Sequence, residues 1–174
     1  METSTYESTV AKPDYNSDAY LDSIFSDWRT SVEKMRAVIA SNPKLCQEGF
    51  DDGSWVYGDF AGHRLSLEER RRRLEDHRRR LEESRRRLEK NRDELLAASA
   101  WISRRTRRTK GMTWKWSSYG WKHVMQRETG VYVTNGAFIV AAIALGFKFT
   151  VEHNPGFNMS LIGKELARHR EIPH

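Results

Sequence analysis

From residue 65 to 108 the chain places an aliphatic residue at every seventh position. Leu67, Leu74, Leu81, Leu88 and Leu95 make up the series, and Ile102 continues it. Three copies of Arg-Arg-Arg-Leu-Glu stand at 71–75, 78–82 and 85–89, and no Gly or Pro occurs from 63 to 110. Arg, Glu and Leu are all good helix formers. Ser66 followed three residues on by Glu69 has the form of a capping box. Together these features predict about 40 residues of continuous helix, roughly 60 Å at 1.5 Å per residue. Gly111 is expected to close it from the C′ position.

With Leu at heptad position a, position d holds Arg70, His77, Ser84, Asn91 and Ala98, and position e holds Arg71, Arg78, Arg85 and Arg92. A two-stranded coiled coil needs apolar residues at both a and d, so this is half a seam flanked by like charge. Glu68–Arg72, Glu75–Arg79 and Glu82–Arg86 are i,i+4 pairs in the favourable order, each contributing about 0.2–0.5 kcal/mol. Three readings stand: a self-supporting charged spacer, a Leu stripe that docks on another element in cis or in a partner, and a leucine zipper. The residues that would carry such a helix–partner interface are Leu67, Leu74, Leu81, Leu88 and Leu95.

On either side the periodicity changes. Leu21, Ile24, Phe25, Trp28, Val32, Met35 and Ile39 follow the spacing of an amphipathic helix, which Asn42-Pro43 ends. Residues 44–64 read as a loop rich in Gly, aromatic and acidic residues, with one short strand at 55–57. Residues 109–118 read as a joint. A helix follows over 119–128, then a turn at Gly130, then a helix capped by Thr134 or Asn135 that is apolar nearly all round. Strands at 147–152 and 157–159 would flank the turn at Asn154-Pro155-Gly156, and Ser160 would cap a last helix over 161–169. The order helix, turn, helix, small hairpin, helix over about 119–160 resembles a winged helix-turn-helix; the other reading is a generic small α+β unit. The fold class is therefore mainly α: an N-terminal helix and a long charged helix, as a helical hairpin or coiled-coil-like stalk, then a small C-terminal α+β domain. The boundaries are an acidic disordered tail at 1–16, a helix and loop at 17–64, the long helix at 65–110, and the C-terminal domain at 111–174.

Charge sharpens the picture. The whole chain is +6, but residues 1–63 carry 5 basic and 11 acidic side chains, whereas 97–127 carry 8 basic and none acidic. Residues 65–96, for all their arginine, hold 12 basic against 9 acidic. An acidic head and a basic centre imply mutual attraction or an anionic partner. The single cysteine, Cys46, excludes an intramolecular disulfide framework. The most apolar run, 137–147, is too short to span a bilayer. No signal sequence is legible at the N-terminus, so the expectation is a cytoplasmic protein without a membrane role.

The basic segment is also aromatic. Arg104, Arg105, Arg107, Arg108, Lys110, Lys115 and Lys122 alternate with Trp114, Trp116 and Tyr119. Cations at short intervals neutralise phosphates, and flat rings stack on unpaired bases. These ten residues are the candidate site for nucleic acid, DNA or RNA, or for an acidic protein surface. The histidines lack metal-ligand spacing, and Asp51, Asp52 and Asp59 lack that of a calcium loop. No phosphate loop or nucleophile elbow is present, so neither catalytic residues, a metal nor a cofactor is expected. Two functions follow: a nucleic-acid-binding accessory protein, or a protein–protein adaptor or inhibitor, of the sort carried by mobile genetic elements, that blocks a nucleic-acid-handling complex. Self-association through the N-terminal and long helices is compatible with either.

Overall fold

A computed structural model describes residue 14 and residues 17–24, 28–51, 53 and 65–162; the side chains at 24, 28–30 and 114 are not described. The expected tail at 1–16 (residue 14 apart), the short strand at 55–57 and the expected last helix from 163 on lie outside these residues, whereas Ser160 and Leu161, expected to cap and open that helix, end a strand instead. The described chain is mainly helical, with six helices and two small antiparallel sheets. In order these are α1 (Asp18–Ile24), α2 (Trp28–Ser41), β1 (Leu45–Cys46), β2 (Gly49–Phe50), α3 (Leu67–Lys90), α4 (Arg92–Arg105), β3 (Thr106–Ser117), α5 (Ser118–Thr129), α6 (Asn135–Ala144) and β4 (Gly156–Leu161). No helix among the described residues is long and apolar enough to cross a membrane.

The long helix begins as expected. Ser66 Oγ accepts from Glu69 N–H while the Glu69 carboxylate accepts from Ser66 N–H, so the capping box is complete. Its extent differs from the expectation. At Asn91 the backbone leaves helical geometry (φ −85, ψ 66) before α4 begins; Asn is a poor interior residue because its side chain competes for backbone hydrogen bonds. The helix ends at Arg105, not near Gly111. Thr106 is extended (φ −128, ψ 158), its hydroxyl satisfies the Ile102 carbonyl, and the following threonines and tryptophans suit a strand. Of the joint expected at 109–118, residues 109–117 are thus part of a 12-residue strand with Gly111 inside it, and Ser118 opens the next helix.

The Leu stripe is used unevenly. Leu67 is 69% exposed, Leu74 and Leu81 are half-buried, and Leu88, Leu95 and Ile102 are buried. The buried end joins one core with Leu21 of α1, Val32, Met35 and Ile39 of α2, Leu45 of β1, most of α6 and Phe157 of β4. The stripe therefore docks in cis at its C-terminal end. The polar d and e positions have a cis role too. Arg85 donates to the carbonyls of Ile39, Asn42 and Leu45 (2.9, 2.6 and 2.9 Å), closing the C-terminus of α2. A cation there also meets the negative end of the helix dipole. Ser84 Oγ accepts from Gln47 N–H and donates to Glu48, and His77 pairs with Asp51 at 2.8 Å. Arg85, from the flank that discourages a zipper, thus joins Ser84 and His77 in clamping residues 39–51.

The C-terminal unit differs in its strand pairing. The expected hairpin of 147–152 with 157–159 is reduced to one bridge, Phe149 to Phe157, because β4 pairs instead with β3. Asn158, which is buried, joins both sides: its Oδ1 accepts from Lys148 N–H and its Nδ2 donates to the Thr109 carbonyl. The helix resembling a recognition helix, α6, is buried from Asn135 to Ala142, so its side chains face protein and none of those positions is free to enter a groove. Packing is tight at its start. A Cβ on Gly136 would lie 1.9 Å from the Cys46 carbonyl oxygen, and the Gly136 N–H donates to Gln47 O at 2.7 Å.

Candidate functional site

β3 is irregular where its charge is concentrated. Arg108 pairs with Met159 and Thr113 with Phe157, so residues 109–112 stand opposite the single residue Asn158. Thr113 and Ser117 pair with the adjacent residues Phe157 and Gly156, so 114–116 stand opposite none. Extra residues on one strand form bulges that re-aim side chains. Lys110 stands in the first bulge and Lys115 in the second, and both are exposed. The Thr113 hydroxyl, within 2.8 and 2.9 Å of the carbonyls of Phe157 and Met159, pins the strand between them.

The predicted cations separate into three kinds. Arg105 is held inside the fold: its Nε pairs with Glu128 at 3.0 Å, and the same carboxylate accepts from Trp101 Nε1 at 2.8 Å. Arg104 and Arg108 are exposed but oriented. Arg104 donates to the Tyr20 hydroxyl, and Arg108 donates to the Leu145 carbonyl beyond α6 while lying over Phe147. Arg107, Lys110 and Lys115 are exposed; Arg107 lies 3.4 Å from Ser160 Oγ, and Lys115 sits over the Trp116 ring. Among the described residues, none of Arg104, Arg107, Arg108, Lys110 and Lys115 forms an ion pair with a carboxylate.

The aromatics divide differently. Trp116 is buried edge-on against Trp121, and Trp101 is buried beside Phe138. Their rings are core, and the side chain of Trp114 is not described. Tyr119, just past the end of β3, is exposed and belongs to a cleft of about 500 Å³ whose walls include Glu48, Lys122, Tyr132, Asn135 and His153. Lys122, predicted as a surface cation, is only 6% exposed. Its ammonium lies 5.1 Å from the Tyr119 ring centre, 5.0 Å from that of Tyr132, and 3.4 Å from the Val133 carbonyl. Burial pushes its pKa down, with the Glu94 carboxylate opposing. Burying a charge without a hydrogen-bonded counter-ion is costly, and groups shifted this way gather at functional sites.

The other walls come from the β1–β2 turn, the start of α6 and the segment before β4. Glu48 lies in the turn between β1 and β2. Burial would raise its pKa, but hydrogen bonds from Ser84 and Cys46 hold it below the ordinary carboxylate range. His153 Nδ1 lies 2.7 Å from the Phe50 carbonyl. Asn135 Nδ2 donates to the Glu48 carbonyl and to Asn154 Oδ1, while its buried Oδ1 has no hydrogen-bond partner. Three N–H groups at the start of α6 are already used: Thr134 donates to Glu94, Gly136 to Gln47 and Ala137 to the Thr134 hydroxyl. Within the sequence, an asparagine opening an otherwise apolar helix and tyrosines at 119 and 132 around Lys122 were the only signals of this cleft.

Comparison with protein-family models, with curated proteins and with solved structures finds no match to the chain.

Proposed function

We propose that the protein is a nucleic-acid-binding accessory protein that holds the phosphate backbone along β3. The supporting observation is the set of five exposed cations at 104–115, none ion-paired to a described carboxylate, two of them carried on bulges. Unneutralised Arg and Lys along an extended segment release counterions when they meet phosphates, the main source of affinity for a polyanion. Arg104 and Arg108 are pre-oriented by Tyr20, Leu145 and Phe147, which lowers the ordering cost of binding. Buried α6 has no face free to enter a duplex groove, so the reading is backbone contact without groove readout. Replacing Arg107, Lys110 and Lys115 by Ser should weaken binding to every sequence alike. It should also flatten the log–log salt slope by about 0.7–0.9 for each phosphate left unneutralised. An unchanged affinity in that variant removes β3 from the function.

The adaptor or inhibitor reading draws support from the other end of the molecule. The first turns of α3 present exposed Leu67, half-buried Leu74 and Leu81, and alternating Arg and Glu. A helix face of this kind suits a protein partner or a second copy of the chain. Ser at Leu67 and Leu74 separates the two readings, since it should abolish capture of a protein partner and leave polyanion binding intact.

A further inference from the structure

We infer that the cleft beside β3 takes one unpaired nucleotide, with its base packed on Tyr119 and Tyr132 above Lys122. This rests on the reading of β3 as a phosphate-binding strand. The cleft opens where that strand ends: Ser117 closes β3, and Tyr119 lies in the first turn of α5. A strand following the cations from Arg107 to Lys115 arrives at the two tyrosines.

Four features of the cleft fit a base. Its volume of about 500 Å³ lies within the range of about 300–1,000 Å³ usual for small-ligand clefts. Tyr119 and Tyr132 are 51% and 65% exposed, although each ring lies beside the Lys122 ammonium. Large aromatic surface kept in solvent and held in place by a buried cation is a stacking platform. One lining residue carries an unpartnered acceptor, the buried Asn135 Oδ1. A buried acceptor without a donor is a deficit that a ligand N–H repairs. Lys122 makes one long contact, to Val133 O, which leaves N–H groups for a ring nitrogen or carbonyl oxygen. An acceptor at the wall and a cationic donor beneath match a base edge, where an N–H stands beside a ring nitrogen or carbonyl oxygen.

The test uses the full chain and two labelled single strands of about 12 nucleotides, one of adenine throughout and one of the same backbone with abasic residues. Binding is read by fluorescence anisotropy at one salt concentration, and adenosine monophosphate is titrated separately by NMR. The adenine strand should bind roughly tenfold tighter than the abasic one. Tyr132→Ala, at an exposed position, should erase that difference and leave abasic affinity unchanged. The monophosphate should shift the resonances of Tyr119 and Asn135 in the wild type and equally in the Arg107, Lys110 and Lys115 to Ser variant. Equal affinity for both strands with no monophosphate shifts overturns the pocket and leaves the phosphate-binding strand standing. Monophosphate binding without strand binding does the reverse. Silence in every arm overturns both.

Discussion

A methyl group at position 136 would collide with the backbone of Cys46, since its Cβ would stand 1.9 Å from that carbonyl oxygen and 2.8 Å from the carbonyl carbon. Neither obstacle is the tip of a flexible side chain, so relief requires the β1–β2 turn to part from α6. Gly136→Ala should cost about 3 kcal/mol, at the upper end for overpacking, measured as a loss of urea stability without loss of cooperativity. Glu48 in the same turn supplies a pH signature. Its folded-state pKa is depressed, so its contribution is present above the ordinary carboxylate range and is lost as pH falls through the lowered value. Acid titration followed by NMR should loosen the Gln47–Ser84 contact in the wild type. Glu48→Gln should remove that part of the pH dependence; an identical acid profile in the two proteins would contradict the assignment.

Among the elements, the arginine-rich helix shows how one repeat serves different ends along its length. Arg71, Arg78 and Arg85 occupy the same heptad position, but among the described residues Arg85 alone is seen to reach three carbonyls outside its own helix. Arg85→Met should cost about 2–3 kcal/mol, because charge-assisted hydrogen bonds contribute about 1.5–3 kcal/mol each and the side chain is part-buried. Arg71→Met, at an exposed position, should change stability by less than about 0.5 kcal/mol. Thermal unfolding of the two variants makes the comparison, and equal effects would mean that Arg85 does not clamp α2. The helix itself was legible in the sequence, from the capping box through the Leu period, because its signals are local. The break at Asn91 and the change to strand at Thr106 were not, since the apolar period runs on through Leu95 and Ile102 regardless of backbone geometry. β3 was hidden for a related reason. Its partner residues are 39 to 55 positions away along the chain, and bulges destroy the alternation by which strands are recognised.

For the molecule as a whole, the acidic N-terminal third and the basic centre are visible as composition, and the basic segment stands in the sequence as one run of residues. Which side chains it makes available depends on packing that composition does not record. Arg105 is drawn to Glu128, Trp116 and Trp121 enclose each other, and Lys122 is buried between two tyrosines. Arg104, Arg107, Arg108, Lys110 and Lys115 stay at the surface. The cleft was the least legible feature, because its walls come from the β1–β2 turn, α5, α6 and the segment before β4, which only the tertiary fold brings together.

The most direct test of the central claim is the salt dependence of binding to a generic nucleic acid, measured by fluorescence anisotropy on the full chain. Five phosphate contacts predict a log–log slope of about −4.5 for duplex DNA and about −3.5 for a single strand. The Arg107, Lys110 and Lys115 to Ser variant should bring these to about −2 and −1.5. A wild-type protein that fails to bind at low salt, or a variant whose slope matches the wild type, contradicts the account.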